Sequence, residues 1–257
     1  YGQFLPPNID FETGSTSNWE YYTGTCCPIA TPSGTLPVAG RHTLTTGATT
    51  DYFGGFPIVS PTGGGFSLKL GNSSTGGESE KARYYVNVPT GGGNYRLIYH
   101  YAIVLEDPGH SPAGQPRMQI VAYDSATGLA LPCDSFYYVS SSSIPGFSTS
   151  TVDTNVHYLP WKTGTVNFSG YGGRTVALDF LTGDCDYGGH FAYGYIDMSP
   201  GIFRSAITCT TPTVSLYGPA GYSSYTWLDS ATFSTSYGTT RNITIPAPAY
   251  PITYAVI

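Results

Sequence analysis

Charge is the scarcest commodity in this chain. Only 10% of its 257 residues are Asp, Glu, Lys or Arg, against roughly 25% in an average soluble domain. Lysine stands only at Lys69, Lys81 and Lys162. With a net charge of −6 and no basic cluster, the stripe of cations that nucleic-acid binding needs is missing. No apolar run approaches the roughly 20 residues of a membrane-spanning helix. Apolar spacing of period 3.6 is absent, and Gly or Pro interrupts almost every window of ten, which excludes a helical fold. There is no Cys-x-x-Cys pair, no His-Glu-x-x-His, no Gly-x-Ser-x-Gly elbow and no phosphate-cradling glycine loop before a helix. The usual zinc, nucleophile and nucleotide signatures are therefore not available.

What is present suits an extracellular β protein. Thr and Tyr favour strands, while Gly, Asn and Pro favour turns. Strand-like runs cover Asp10–Glu12, Phe66–Leu70, Ala82–Val88, Tyr95–Val104, Arg117–Asp124, Thr165–Phe168, Thr175–Phe180 and His190–Met198. Gly-rich turn clusters separate them, so the pattern predicts a β-sandwich. Two runs look like central strands. Arg96–Val104 is almost continuously apolar, whereas Gln119–Tyr123 alternates. His100, inside the first, reads as a core or sheet-facing histidine. After residue 204 the pattern changes to shorter runs around Val214–Leu216, Tyr225–Trp227, Asn242–Pro246 and Thr253–Ile257. The expected organisation is a large sandwich over 1–204 and a partial module over 205–257, with Trp227 as its core tryptophan. Tyr1-Gly2-Gln3 at the start and a strand-like end at Ile257 suggest an excerpt from a longer protein.

Asp10 and Glu12 stand two apart, so a strand would point both to one face and Phe11 to the other. If the first and last strands lie side by side, Asp197 joins them. Three converging carboxylates repel unless a cation sits between them, and calcium takes such hard oxygen ligands. The alternative is an N-terminal strand with solvated acids. A second acidic loop, Asp184-Cys185-Asp186 with His190, and a third, Glu106-Asp107, are candidate ligand loops or simple turns. Glu106 and Asp107 are adjacent and point apart, which disfavours paired acid–base chemistry on glycosides.

Five cysteines, Cys26, Cys27, Cys133, Cys185 and Cys209, allow two bridges and one leftover thiol in a secreted protein. The adjacent Cys26 and Cys27 could close on each other, a rare ring, but are expected to take separate partners. Twenty-three tyrosines, with Trp19, Trp161 and Trp227, admit two readings: rings exposed for sugar or protein partners, or rings that cover sheet faces. Tyr21-Tyr22, Tyr52-Phe53, Phe136-Tyr137-Tyr138, Tyr158 and Trp161 are the candidates.

Asp10-Phe11-Glu12-Thr13-Gly14 with Trp19, and Ile196-Asp197 near the far end, resemble the opening and closing of jelly-roll domains of two kinds. These are the MAM domain of cell-surface proteins and the carbohydrate-binding modules of secreted glycosidases. The resemblance implies a structural calcium on Asp10, Glu12 and Asp197. In Arg41-His42-Thr43-Leu44 an arginine replaces an expected acid, for which Asp51 is a substitute. Gly183–Asp197, with Ser67–Asn72 and Tyr225–Trp227, is similar to modules of large secreted surface proteins of Bacteroidetes, exported by the type IX system and including gliding-motility adhesins. The later strands resemble an immunoglobulin-like or PKD-like module.

The expectation from sequence is thus an all-β chain, a jelly-roll β-sandwich followed by a partial immunoglobulin-like β-sandwich. Its expected role is a non-catalytic, calcium-stabilised adhesion or structural module on the cell surface. Partners would be surface polysaccharide, other proteins or copies of itself, without nucleic acid or membrane insertion. The alternative is a carbohydrate-binding module attached to a secreted glycoside hydrolase.

Overall fold

The computed structural model describes residues 6–90, 96–141, 144–199, 206–210, 212–217, 225–229, 232, 234–247 and 254–256. It is all-β, with no α-helix among the described residues, and it divides into two units, Tyr1–Ile202 and Phe203–Ile257. The strands of the first unit are β1 (Trp19–Thr25), β2 (Ala30–Ser33), β3 (His42–Thr46), β4 (Phe66–Gly71), β5 (Glu78–Asn87), β6 (Arg96–Glu106), β7 (Arg117–Asp124), β8 (Ala130–Val139), β9 (Ser148–Thr149), β10 (Val156–Asn167), β11 (Thr175–Gly183) and β12 (Ala192–Ser199). One sheet, sheet A, runs β2-β1-β5-β11-β7-β8; the other, sheet B, runs β3-β4-β12-β6-β10-β9. From β4 to β7, and again from β10 to β12, the chain changes sheet at each successive strand. That alternation is what winds a strand series into a jelly-roll sandwich.

Side-chain alternation explains how the sheets face each other. On β7, Met118, Ile120 and Ala122 enter the core, as do Ala82, Tyr84 and Val86 on β5. From β6, Leu97, Tyr99, Tyr101, Ile103 and Leu105 meet them. β6 also buries its other face: Ala102 and Val104 join Phe56, Val156, Phe191, Tyr193 and Tyr195 in a second cluster. The loop around residues 50–60 roofs the outside of sheet B, with the Trp161 Nε1 donating to the Pro57 carbonyl at 2.6 Å. Asp51 is buried under this roof. It accepts from the Tyr193 and Tyr195 hydroxyls at 2.8 and 2.9 Å and from the amides of Phe53 and Gly54. Lys69 lies 3.8 Å above the Tyr193 ring. Asp51 thus serves the roof and does not stand in for an acid at Arg41. Arg41 itself pairs with Glu80 at 2.7 Å.

Several expectations need correction. Asp10–Glu12 is no strand: residues 7–10 form a turn, and Asn8 and Phe11 adopt left-handed φ of 50° and 62°. Such a backbone cannot continue an extended ladder. The segment instead plugs the end of the sandwich. Phe11 stacks on Trp19 at 4.8 Å, and the Trp19 Nε1 donates to the Asn8 carbonyl. The first and last strands are not neighbours, since β1 pairs with β2 and β5 while β12 pairs with β4 and β6. Cys26 and Cys27 bond to each other, with Cα atoms 3.1 Å apart. The peptide between them is cis. Cys185 is a buried free thiol. The side chains of Cys133 and Cys209 lie outside the described residues. His100 is buried and bonded to Thr163 on the paired strand β10.

The second unit holds β13 (Ala206–Thr210), β14 (Thr213–Tyr217), β15 (Trp227–Asp229), β16 (Ser236–Gly238), β17 (Asn242–Pro246) and β18 (Tyr254–Val256). They form two three-stranded sheets, β13-β14-β17 and β16-β15-β18. Val214, Leu216, Trp227 and Ile245 make its core, and the Trp227 Nε1 donates to the Thr240 carbonyl at 2.9 Å.

Candidate functional site

Sheet B is roofed, but the outer face of sheet A carries no such cover among the described residues. Residues two apart on a strand share a face, so Glu20 and Tyr22 on β1 lie on the same side as Lys81, Arg83 and Tyr85 on β5. Register aligns them into rows. Glu20 pairs with Arg83, Arg83 with Asp179 on β11, and Asp179 with Val121 on β7. The next row runs Tyr22, Lys81, Leu181, Gln119 and Tyr137. On the other side Tyr85 and Tyr123 flank Ala177.

Arg83 is the hub. Its Nε and Nη2 donate to the two carboxylate oxygens of Asp179 at 2.6 and 2.8 Å, a bidentate pair that fixes both planes. The guanidinium carbon lies 5.6, 5.7 and 5.3 Å from the rings of Tyr22, Tyr85 and Tyr123. Tyr85 and Tyr123 hydroxyls bond to Arg83 and Asp179 in turn. The Lys81 ammonium stands 3.9 Å over Tyr22, and burial lowers its pKa. The Tyr22 hydroxyl donates to Glu20, and burial followed by that carboxylate pushes it up to about 12. At one rim, Arg117 donates to the Tyr137 hydroxyl at 2.6 Å, and Tyr137 is 52% exposed. Both acids of this face are engaged, Asp179 by Arg83 and Glu20 by Tyr22. The surface is a set of oriented tyrosine rings around charged groups already locked in place. Sequence reasoning named Tyr22 and Tyr137 as candidates but missed Tyr85, Tyr123 and the Arg83–Asp179 pair. The signal was there: Lys81-x-Arg83-x-Tyr85 opposite an acid at strand period, polar where Ala82, Tyr84 and Val86 are apolar.

The predicted acids are brought near one another by turns instead of by paired strands. Asp197 is fully buried on β12, where Ser67 Oγ donates to its Oδ2 at 3.0 Å and the Met198 amide to its Oδ1 at 2.6 Å. Burial first, then the nearby Glu12 and Asp10 charges, raise its pKa to about 8. Glu12 accepts from the amides of Gly65 and Phe66 at 2.9 and 3.1 Å, and Asp10 Oδ1 accepts from the Glu12 amide at 3.3 Å. Glycines 63 and 64 lie against the acids. A Cβ on Gly63 would fall 1.9 Å from Asp197 Oδ2, and one on Gly64 would fall 2.1 Å from Glu12 Cδ. Burial is the main cause of that shift and the two acids add to it; the three carboxylates offer the hard oxygens that calcium takes, but among the described residues they do not meet as one close donor group.

The other predicted loops meet at one end of the sandwich. The Phe191 amide donates to Glu106 Oε2 at 3.3 Å and the Asp186 amide to the Gly114 carbonyl at 3.0 Å. Asp107 accepts from Gln115 Nε2 at 2.7 Å. Asp184 is buried and accepts from the Glu78 and Ala192 amides, both at 3.0 Å, with its pKa raised to about 7 mainly by burial. Asp186 is exposed. His190 faces Cys185 and His110, and His110 is a residue that the sequence analysis did not single out.

No protein-family model matches this chain, and no curated protein sequence matches it. Solved structures to which it is similar include the carbohydrate-binding module TmCBM61 in complex with β-1,4-galactotriose, at 11% identity and a TM-score of 0.41 over 77% of this chain and 95% of that one. Another is the family 11 carbohydrate-binding module of a cellulosomal cellulase of Clostridium thermocellum, at 12% identity and a TM-score of 0.32, covering 74% and 88%. A third is the K2 cleaved adhesin domain of Lys-gingipain, at 14% identity and a TM-score of 0.30, covering 70% and 86%.

Proposed function

We propose that the first unit is a non-catalytic carbohydrate-binding module that takes an oligosaccharide or polysaccharide chain across the outer face of sheet A. The observation that carries this reading is the ring of Tyr22, Tyr85 and Tyr123 around the Arg83–Asp179 pair. Aromatic faces offer apolar area to the C–H face of a sugar ring, while their hydroxyls and a few fixed polar groups meet its hydroxyls. Because these groups are bonded to one another beforehand, little ordering remains to oppose binding. The engagement of Asp179 and Glu20 favours recognition over acid–base chemistry on this face.

In the same reading calcium sits between Asp10, Glu12 and Asp197, ties the N-terminal turn to β4 and β12, and stabilises the fold without touching sugar. The module works outside the cell, either beside a secreted hydrolase or as one element of an adhesive surface protein.

A glycan array of the whole chain, with calcium and with a chelator, tests the reading. Binding that disappears in a Tyr85→Ala, Tyr123→Ala double variant of unchanged thermal stability supports it. A folded chain that binds no glycan in either condition rejects it.

A further inference from the structure

The loops that follow β6 and precede β12 bring His110, Cys185 and His190 together. One donor atom from each, an imidazole nitrogen or the thiol sulfur, lies within 4.8 Å of the others. Among the described residues this is the one group of three His, Cys, Asp or Glu side chains that meets so closely. We propose that these three residues form a zinc site, distinct from the oxygen-lined calcium site and independent of sugar binding.

Four observations carry the proposal. The donors are two imidazoles and a thiol, a set that suits zinc and not calcium or magnesium, which take oxygen. Cys185 Sγ stands 3.4 Å from His190 Nδ1; zinc bonds of about 2.3 Å to sulfur and 2.1 Å to nitrogen, at tetrahedral angles, separate two such ligands by roughly 3.6 Å. His110 Nε2 is buried and has no hydrogen-bond partner, although a buried polar nitrogen ordinarily has one. A metal bond supplies the missing partner. Finally, the Gly189 amide donates to Cys185 Sγ at 3.3 Å, the kind of outer contact that favours a thiolate and orients it.

The surroundings set the rest. Cys185 is wholly buried, while His110 and His190 are half-buried, so the ion is reached from the histidine side. Tyr187 lies edge-on to His110, with ring centroids 4.7 Å apart. Three protein ligands leave a fourth position for water, as in sites that exchange a ligand. On binding, Cys185 gives up its proton, so one proton leaves for each ion that enters. The ion pins the two loops together at one end of the sandwich.

The test uses the full chain. Competition with a chromogenic chelator measures zinc binding, and cobalt(II) in place of zinc reports sulfur ligation through its thiolate charge-transfer absorption. One ion per chain and a charge-transfer band are expected. Loss of an outer-shell partner alone typically weakens a metal site about 10- to 100-fold, so His110→Ala and His190→Ala should each weaken zinc by more than roughly 100-fold. Both side chains are partly exposed, so these variants keep the fold, whereas Cys185→Ser alters a buried position. Zinc should also shield Cys185 from alkylation, read on its own peptide by mass spectrometry. Zinc affinity unchanged in His110→Ala, a cobalt spectrum without the thiolate band, or alkylation of Cys185 unaffected by zinc would each overturn the proposal.

Discussion

Arg83 and Asp179 occupy directly paired positions on β5 and β11 and join through two parallel hydrogen bonds of 2.6 and 2.8 Å. The pair lies in the middle strands of sheet A, on its outer face, with three tyrosine rings gathered around it. Asp179→Asn keeps the shape but removes the charge that fixes the guanidinium. Glycan affinity measured by calorimetry is expected to fall by about tenfold or more, in line with the 1.5–3 kcal/mol typical of a hydrogen bond to a charged group. An affinity equal to the parent's would show that sugar does not use this face.

The acidic site predicts an unusual pH response. The Asp197 carboxyl has a pKa near 8 when folded and the ordinary carboxylate value when unfolded. Between those values the folded chain holds a proton that the unfolded chain has lost, so without metal its stability falls as pH rises from about 4 to 8. Asp184, raised to about 7, adds to the same slope. Calcium bound there, as proposed, would displace the Asp197 proton and stabilise by mass action. Melting curves in chelator should drop across that range, calcium should restore them most at the alkaline end, and Asp197→Asn should flatten only its share. A chelated protein whose stability rises with pH would contradict this.

Gly63→Ala places a methyl 1.9 Å from Asp197 Oδ2. The backbone or the carboxylate must shift, and overpacking of this kind costs typically 1–3 kcal/mol. Denaturant unfolding should show that loss, together with weaker calcium stabilisation. A neutral result would mean that the loop yields freely.

On the roofed side, Asp51→Ala removes the acceptor of two buried tyrosine hydroxyls and leaves the half-buried Lys69 without its nearest anion. Breaking a buried charged cluster from one side costs about 3–5 kcal/mol. Unfolding midpoints should fall accordingly while glycan binding at the native temperature persists. If binding and stability fell together in the folded variant, the two faces would be coupled.

Much of the sandwich was legible in the sequence because burial writes itself into side-chain period. β6 is apolar on both faces since the core lies on one side and the roof on the other, and β7 alternates since one of its faces is open. Arg117–Asp124 and Asn242–Pro246 therefore matched their strands end to end. The Asp10-Phe11-Glu12 spacing misled, because left-handed φ at Asn8 and Phe11 is a matter of backbone that periodicity does not record. The charges of Glu12 and Asp10 do bear on Asp197, but through the Gly63–Gly65 turn and not through a ladder. Closure of Cys26 on Cys27 was the rarer of the two pairings considered, because adjacent spacing alone does not favour such a ring, yet the structure has it. His110 was hidden because its partners sit 75 and 80 residues further on, and only the joining of two loops brings them near.

The first unit is roofed by the 50–60 loop on sheet B, while the described residues put no such loop over sheet A. A flat polymer can meet it from a single direction. Copies strung along a longer chain would reinforce one another only where their linkers let the bare faces turn the same way, so geometry between modules, more than the affinity of any one, would decide how firmly such a string holds.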